Sequence, residues 1–305
     1  MNGDLLAVNY ARLMYSGHQS NSVFMVNRNT MEKVELSEIY ESHSFAQRTI
    51  PFGDGFVFAS EGDCYNRAFT IATQKIVDDE LDYDWIFSDD NYFPTEGNKA
   101  VEEQIYEETP IFDFWVKKNT LKNWDMYTLN NNFAHMGGLA AVNDKFVALV
   151  GTSAKALSSD ASKQKEQLFI QIFDPTQDLT TPEAYTTTGI RSGIAGPNGN
   201  EAVTNYGVQW LTNGNSTIKN PQVVSDGNGK IAVLYEKYSK SKYQGVFYII
   251  LDADGNIIRK ESCFSAKACL NPCRMPEYSN GKVYWTGNRY QDSSHKVYVY
   301  SFSLK

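Results

Sequence analysis

Asn220-Pro221-Gln222-Val223-Val224, then Asp226-Gly227-Asn228-Gly229, then Lys230-Ile231-Ala232-Val233-Leu234-Tyr235, is the stretch that decides the fold. It opens on an amide side chain, runs into an apolar strand, turns through four residues and returns as a second apolar strand. Gly, Asn and Asp supply the left-handed backbone and local side-chain bonds of a tight turn, and β-branched residues suit the pleated surface on either side. The same unit returns as Asn271-Pro272-Cys273-Arg274-Met275, Ser279-Asn280-Gly281 and Lys282-Val283-Tyr284-Trp285.

Two further copies lie upstream. One reads His43-Ser44-Phe45-Ala46-Gln47-Arg48, turns at Gly53-Asp54-Gly55 and continues Phe56-Val57-Phe58-Ala59-Ser60. The other reads Asn132-Phe133-Ala134-His135-Met136, turns at Asn143-Asp144 and continues Lys145-Phe146-Val147-Ala148-Leu149-Val150. Every copy is followed by an outer strand of period two, for example Gly245-Val246-Phe247-Tyr248-Ile249-Ile250-Leu251, and Ser22-Val23-Phe24-Met25-Val26 plays that part for a partial unit. A hairpin cannot bury a face alone, so a serial array must stack or close, and the most economical closed array is a β-propeller. The sequence therefore predicts one all-β domain over residues 1–305: a β-propeller with five recognisable repeats of four-stranded type, room for six or seven blades, and closure near Tyr298 to Leu304. Leu5-Leu6-Ala7-Val8-Asn9-Tyr10 reads as the second strand of a unit whose first is missing, so a native N-terminal segment is expected to precede Met1.

The leaders at 43, 132, 220 and 271 are unevenly spaced, which places insertions at about 78–130, 153–165 and 185–205. Within the first, Val101, Ile105 and the acidic pair Glu102-Glu103 predict a short helix over 97–109, ended by Pro110. The other two, rich in Ser, Lys, Gly and Asn, read as long loops, where binding residues gather on a rigid scaffold. Asp252-Ala253-Asp254-Gly255-Asn256 resembles the start of a calcium loop, but the closing acid is missing and strands flank it, so a hairpin turn is expected.

The net charge of −8 and the absence of any Lys/Arg run argue against a nucleic-acid partner. No apolar run is long enough to span a bilayer, so membrane insertion is not expected. Cys263, Cys269 and Cys273 are spaced Cys-x5-Cys-x3-Cys, without the paired rhythm of zinc sites and with no histidine beside them; together with Cys64 they suggest a disulfide or buried thiols rather than a metal. Phosphate loops, dinucleotide glycine motifs and nucleophile elbows are all missing, and no cofactor is expected.

In a propeller the first strand of each blade lines the axis, so the leaders His43, His135, Asn220 and Asn271 would converge on one end of the channel as a polar ring. The alternative is that these amides and imidazoles cap turns. Gln47 and Arg48 follow His43 closely and join the set. The densest polar cluster is Ser60-Glu61-Gly62-Asp63-Cys64-Tyr65-Asn66-Arg67, where Glu61, Asp63 and Arg67 would serve as acid, base and clamp, or as a structural charge-assisted pair. Glu236 occupies the place of Glu61 in the third copy, while other copies have Thr152 or Gly287.

Several of these stretches carry a resemblance. His43-Ser44-Phe45-Ala46-Gln47, Glu61 to Arg67, Gln209-Trp210-Leu211-Thr212-Asn213 leading to Asn220-Pro221-Gln222-Val223, and Leu234-Tyr235-Glu236 resemble propeller-like repeat domains of uncharacterised surface or secreted proteins of clostridia. The resemblance implies an extracellular or cell-surface domain, part of a larger protein or assembly, without an established activity. Its members often carry His in place of Glu61 and Pro in place of Asn66, against a catalytic role for that turn. The expected function is a noncatalytic recognition module with a carbohydrate or protein ligand at the axial face, bound by His43, Gln47, Arg48, Glu61, Asp63, Arg67, His135, Asn220, Glu236 and Asn271. A carbohydrate-active hydrolase or lyase using Glu61, Asp63 or Glu236 is the alternative, and a structural scaffold the third reading.

Overall fold

The computed structural model describes residues 1–13, 19–33, 39–42, 44–53, 55–62, 69–77, 80–85, 135–154, 166–177, 179, 181–195, 202–294 and 296–304. The helix expected over 97–109 lies outside these residues, as do His43, Asp63, Cys64 and Arg67. What is described is all-β, in serial antiparallel sheets, as the repeated hairpin predicts; its helical content is a single 3-10 turn at Pro182–Ala184. No described helix is long and apolar enough to cross a membrane.

The chain falls into two compact units. In the first, β1 (Leu5–Leu13), β2 (Gln19–Asn27) and β3 (Ile39–Ser42) form a meander, followed by a four-stranded meander of β4 (Ser44–Phe52), β5 (Gly55–Gly62), β6 (Phe69–Val77) and β7 (Glu80–Trp85). Val23, Met25, Phe56 and Phe58 make its apolar centre, with Leu5 and Ala7 against them. Asn9 on β1 donates its amide to the Thr49 hydroxyl on β4 at 3.2 Å, and the Asn2 amide donates to the carbonyls of Gly53 and Gly55 at the β4–β5 turn.

The second unit carries β8 (His135–Ala141), β9 (Val147–Ala154), β10 (Glu166–Phe173) and β13 (Gln209–Trp210) in one sheet, in the order β13-β10-β9-β8. The intervening strands β11 (Ile190–Ala195) and β12 (Ala202–Tyr206), whose residues 192–205 belong to the first unit, pair with each other. Next come β14 (Thr217–Ser225), β15 (Ile231–Ser239), β16 (Lys242–Leu251) and β17 (Ile257–Ser265), then β18 (Glu277–Ser279), β19 (Lys282–Gly287) and β20 (Tyr298–Ser303), each a meander in sequence order. This is the strand order of propeller blades.

The hydrophobic patterns say how each sheet is covered. Along β15, Ile231, Val233 and Tyr235 join the cluster shared with β9 and β10, while Ala232 and Leu234 join the one shared with β19. A strand buried on both faces reads as a continuous apolar run, which is why Ile231 to Tyr235 does not alternate. By contrast β19 alternates, hiding Val283 and Trp285 and presenting Lys282, Tyr284 and Thr286 less deeply, because its sheet covers one face.

Turn chemistry matches the sequence. Asn280 and Gly281 take positive φ (50° and 77°), as a two-residue hairpin requires. The Asp226 carboxylate accepts the N–H groups of Asn228 and Lys230, and Asp252 does the same for Asp254 and Asn256. The segment resembling a calcium loop is thus the β16–β17 turn, its first carboxylate engaged by its own backbone.

One recurrent feature has no signature in composition. The first strands β4, β8 and β14 each slip by one residue near their starts, between Ser44 and Ala46, Met136 and Gly138, and Lys219 and Gln222. These are bulges, which bend a strand and re-aim its side chains. The bulged positions of β8 and β14 meet: a Cβ on Gly137 would overlap the Pro221 carbonyl oxygen, and one on Gly138 would come within 2.9 Å of Met275 Sδ. Glycine is what lets the two first strands approach this closely.

Candidate functional site

The bulge on β14 places Asn220 in left-handed backbone (φ 49°), a conformation asparagine tolerates better than most residues. From there its Nδ2 donates to Glu236 Oε2 at 2.9 Å. Glu236 sits on β15 opposite Lys219 and is 4% exposed. Its Oε2 also accepts the Tyr238 hydroxyl at 3.2 Å, and its Oε1 accepts the buried Leu270 N–H at 2.9 Å. One residue on, the Asn271 carbonyl accepts the amide of fully buried Gln222 at 2.6 Å, and Asn271 Oδ1 accepts the Cys273 N–H at 3.0 Å. Asn220, Glu236 and Asn271, chosen from sequence as separate repeat positions, therefore belong to one hydrogen-bonded group, with Gln222 and Leu270 as links that the repeat pattern did not reveal.

This group holds one wall of a cleft of about 400 Å³. Residues 269–272 form that wall, and residues 287–291, with Val297, form the other. The walls are pinned to each other by Cys269 N–H donating to the Asn288 carbonyl (3.0 Å) and Tyr290 N–H donating to the Lys267 carbonyl (2.9 Å). Gly287 is required where they converge, because a Cβ there would overlap the Cys269 carbonyl oxygen. Tyr243 braces the base by donating its hydroxyl to the Ala268 carbonyl, and its ring stacks on Tyr290 at 4.2 Å and 16°. Tyr290 stays 40% exposed. The Arg289 guanidinium lies over the Tyr298 ring at 4.4 Å, and its charge acts on the Tyr300 phenol, whose hydroxyl donates to the Asn288 carbonyl at 3.1 Å.

The charges that reach the cleft are the Arg289 guanidinium on its lining and the buried Glu236 carboxylate behind one wall. Burial, followed by the charge of Glu236, pushes the Tyr238 and Tyr243 phenols well above their ordinary range. Burial likewise pushes the Cys269 thiol up, against the opposing hydrogen bond from Tyr243, so it is not a thiolate near neutral pH. Cys263, Cys269 and Cys273 are free thiols, and Cys263 and Cys273 are exposed where buried or paired sulfur was expected. Among the described residues no group of His, Cys, Asp or Glu has the arrangement of a metal site.

The remaining predicted residues lie elsewhere. His135 is exposed at the start of β8; its charge and that of Lys219 act on the Glu166 carboxyl, which burial nevertheless pushes up. Gln47 and Arg48 are half-buried on β4, and Glu61 is buried at the end of β5 opposite Ala46 and Phe69, all in the first unit. The partners proposed for Glu61, Asp63 and Arg67, lie outside the described residues. Sequence reasoning did not pick out Arg289, Tyr290, Asn288 or Gln291. The signal available was the polar run that follows Gly287 where a carboxylate follows in the third copy.

No family model matches the chain, and no curated protein does. Among solved structures it is similar to the β-propeller domain of the Trilobed protease from Pyrococcus furiosus (13% identity, TM-score 0.40, covering 99% of this chain and 80% of that one). It is also similar to the polysaccharide lyase Uly1 (8%, 0.43, 93% and 58%) and to a Mycobacterium tuberculosis puromycin-hydrolyzing peptidase (10%, 0.44, 98% and 37%). The chain thus spans little more than half of the second and about a third of the third. The likeness is one of strand architecture and assigns neither activity nor ligand.

Proposed function

We propose that the chain is a noncatalytic recognition module whose second unit binds a saccharide in the cleft between residues 269–272 and 287–291. One observation carries the reading: the cleft presents an immobilised aromatic ring, a guanidinium and three side-chain amides, and among the described residues no carboxylate or imidazole lines it. Aromatic faces and amides recognise sugar rings, whereas glycoside cleavage calls for two carboxyl groups facing one bond. The one buried carboxylate nearby, Glu236, has both oxygens engaged by Leu270, Asn220 and Tyr238. The volume falls in the range of small-molecule sites, about 300–1,000 Å³. Surface or secreted placement, implied by the clostridial resemblance, is part of the proposal.

A glycan array probed with the whole chain, followed by calorimetry on the hits, tests it. Saccharide binding that Tyr290→Ala abolishes, without release of reducing ends or unsaturated sugars, is the expected result. Turnover of a bound glycan replaces the module with an enzyme, and capture of protein partners with no glycan binding replaces the ligand class.

A further inference from the structure

Among the described residues that line the cleft, the polar side chains without a protein partner are amides and a guanidinium, and the one charge is positive. Arg289 makes no ion pair among the described residues; its guanidinium is held by the Tyr298 ring rather than by a carboxylate. The acid nearest in sequence, Asp292, feels the Arg289 charge without forming an ion pair with it, and its oxygens accept the Ser294 N–H at 2.9 Å and the Tyr298 hydroxyl at 3.0 Å. Asn271 Oδ1 is taken by the Cys273 N–H, which leaves its Nδ2 as the group it offers the cleft. In a chain with 36 acidic against 28 basic residues, the cleft's described lining carries a cation and no acid, the nearby carboxylates Glu236 and Asp292 lying behind it with their own hydrogen-bond partners.

Resting on the saccharide reading above, we infer that the ligand is an acidic saccharide. Its anionic group, carboxylate or sulfate, pairs with Arg289, and its ring lies beside Tyr290. Three features favour an anion at this spot. The guanidinium is pre-positioned by its stack on Tyr298, so little side-chain freedom is lost on binding. A charge-assisted bond to it is stronger than any a neutral hydroxyl would make. Tyr290 is fixed from behind by Tyr243, which leaves a rigid ring on the cleft.

The test compares digalacturonate, the neutral digalactoside of the same linkage and its sulfated counterpart, titrated calorimetrically into the whole chain. The expected result is acid binding about tenfold or more tighter than neutral, as a bond to a charged group implies. Arg289→Gln removes that preference while retaining the residual affinity for the neutral sugar, Tyr290→Ala lowers affinity for all three, and unchanged far-ultraviolet dichroism certifies the fold of each variant. Raising salt from about 50 to about 500 mM weakens the acid and leaves the neutral sugar unaffected. The uronate and sulfate arms identify which anion is preferred. Equal binding of neutral and acidic sugars, or an Arg289→Gln variant that keeps the preference, overturns the charge inference and leaves the saccharide reading standing; binding of none of the three overturns the charge inference, and with no hit on the glycan array it overturns both.

Discussion

Replacing Glu236 by alanine strips the acceptor from three donors at once: the Leu270 N–H, the Asn220 amide and the Tyr238 hydroxyl. They are not equivalent. Leu270 is buried, so its N–H is left without water or partner, at about 1–3 kcal/mol. Asn220 and Tyr238 are half-exposed and recover part of their bonding from solvent, about 0.5–1 kcal/mol each. Removing a buried charge gives back part of this, so the net loss is about 3 kcal/mol. Glu236→Gln keeps an acceptor for Leu270, and the Asn220 amide and Tyr238 hydroxyl can both turn to accept from the new NH2, so its loss is about 1 kcal/mol. At roughly 2–4 °C per kcal/mol for a unit of this size, calorimetry should place the alanine variant about 6–12 °C below the parent and the glutamine variant only a few degrees below. Urea unfolding followed by tryptophan fluorescence should rank them in the same order. An alanine variant as stable as the parent refutes the reasoning, because the network would then not hold the cleft wall.

Gly137→Ala places a methyl against the Pro221 carbonyl and should lose about 1–3 kcal/mol to overpacking in a urea melt. Gly214→Ala, with open space around it and no positive φ, is the neutral control. The phenols of Tyr235, Tyr238 and Tyr243 are all raised by burial, so the folded state prefers them protonated; their stabilisation is complete below the ordinary tyrosine pKa of about 10 and is lost as pH climbs beyond it. Ultraviolet titration should show these three ionising only as the protein unfolds, and a smooth titration of every tyrosine near pH 10 contradicts this. Alkylation with mapping by mass spectrometry should label exposed Cys263 and Cys273 promptly and Cys269 slowly, since burial holds its thiol protonated; equal rates at all three would be the contrary outcome.

How much of this was legible in the sequence depended on periodicity. The turns at Asp226 to Gly229 and at Asn280-Gly281 name themselves, because few residues accept the backbone they need. The strands follow from runs of β-branched and aromatic residues, and even their covering can be read: Ile231 to Tyr235 is unbroken and buried on two faces, while Lys282 to Gly287 alternates. Bulges escaped because a one-residue slip at Gly137 or Pro221 leaves composition unchanged and shifts the period-two phase only near the strand starts, over too few residues to read. With them escaped the grouping of Asn220, Glu236 and Asn271, since the bulge turns Asn220 toward Glu236. The cleft was harder still: its walls are loops, residues 267–273 and 287–291, whose meeting depends on two backbone hydrogen bonds that no side-chain pattern announces.

The glycine and proline that touch across the bulges of β8 and β14 occupy the same position in successive repeats, one register step before the pairs Gly138–Val150 and Gln222–Leu234. Neighbouring repeats are therefore not interchangeable parts. A side chain at 137 would collide with the Pro221 carbonyl and ring, so at this junction the β8 side takes a glycine. Arrays made of near-identical units risk joining the wrong neighbours while they fold, or exchanging a unit with another copy of the chain. At this one junction the need for a residue without a side chain works as an address label: a repeat with a side chain at that position does not fit against β14.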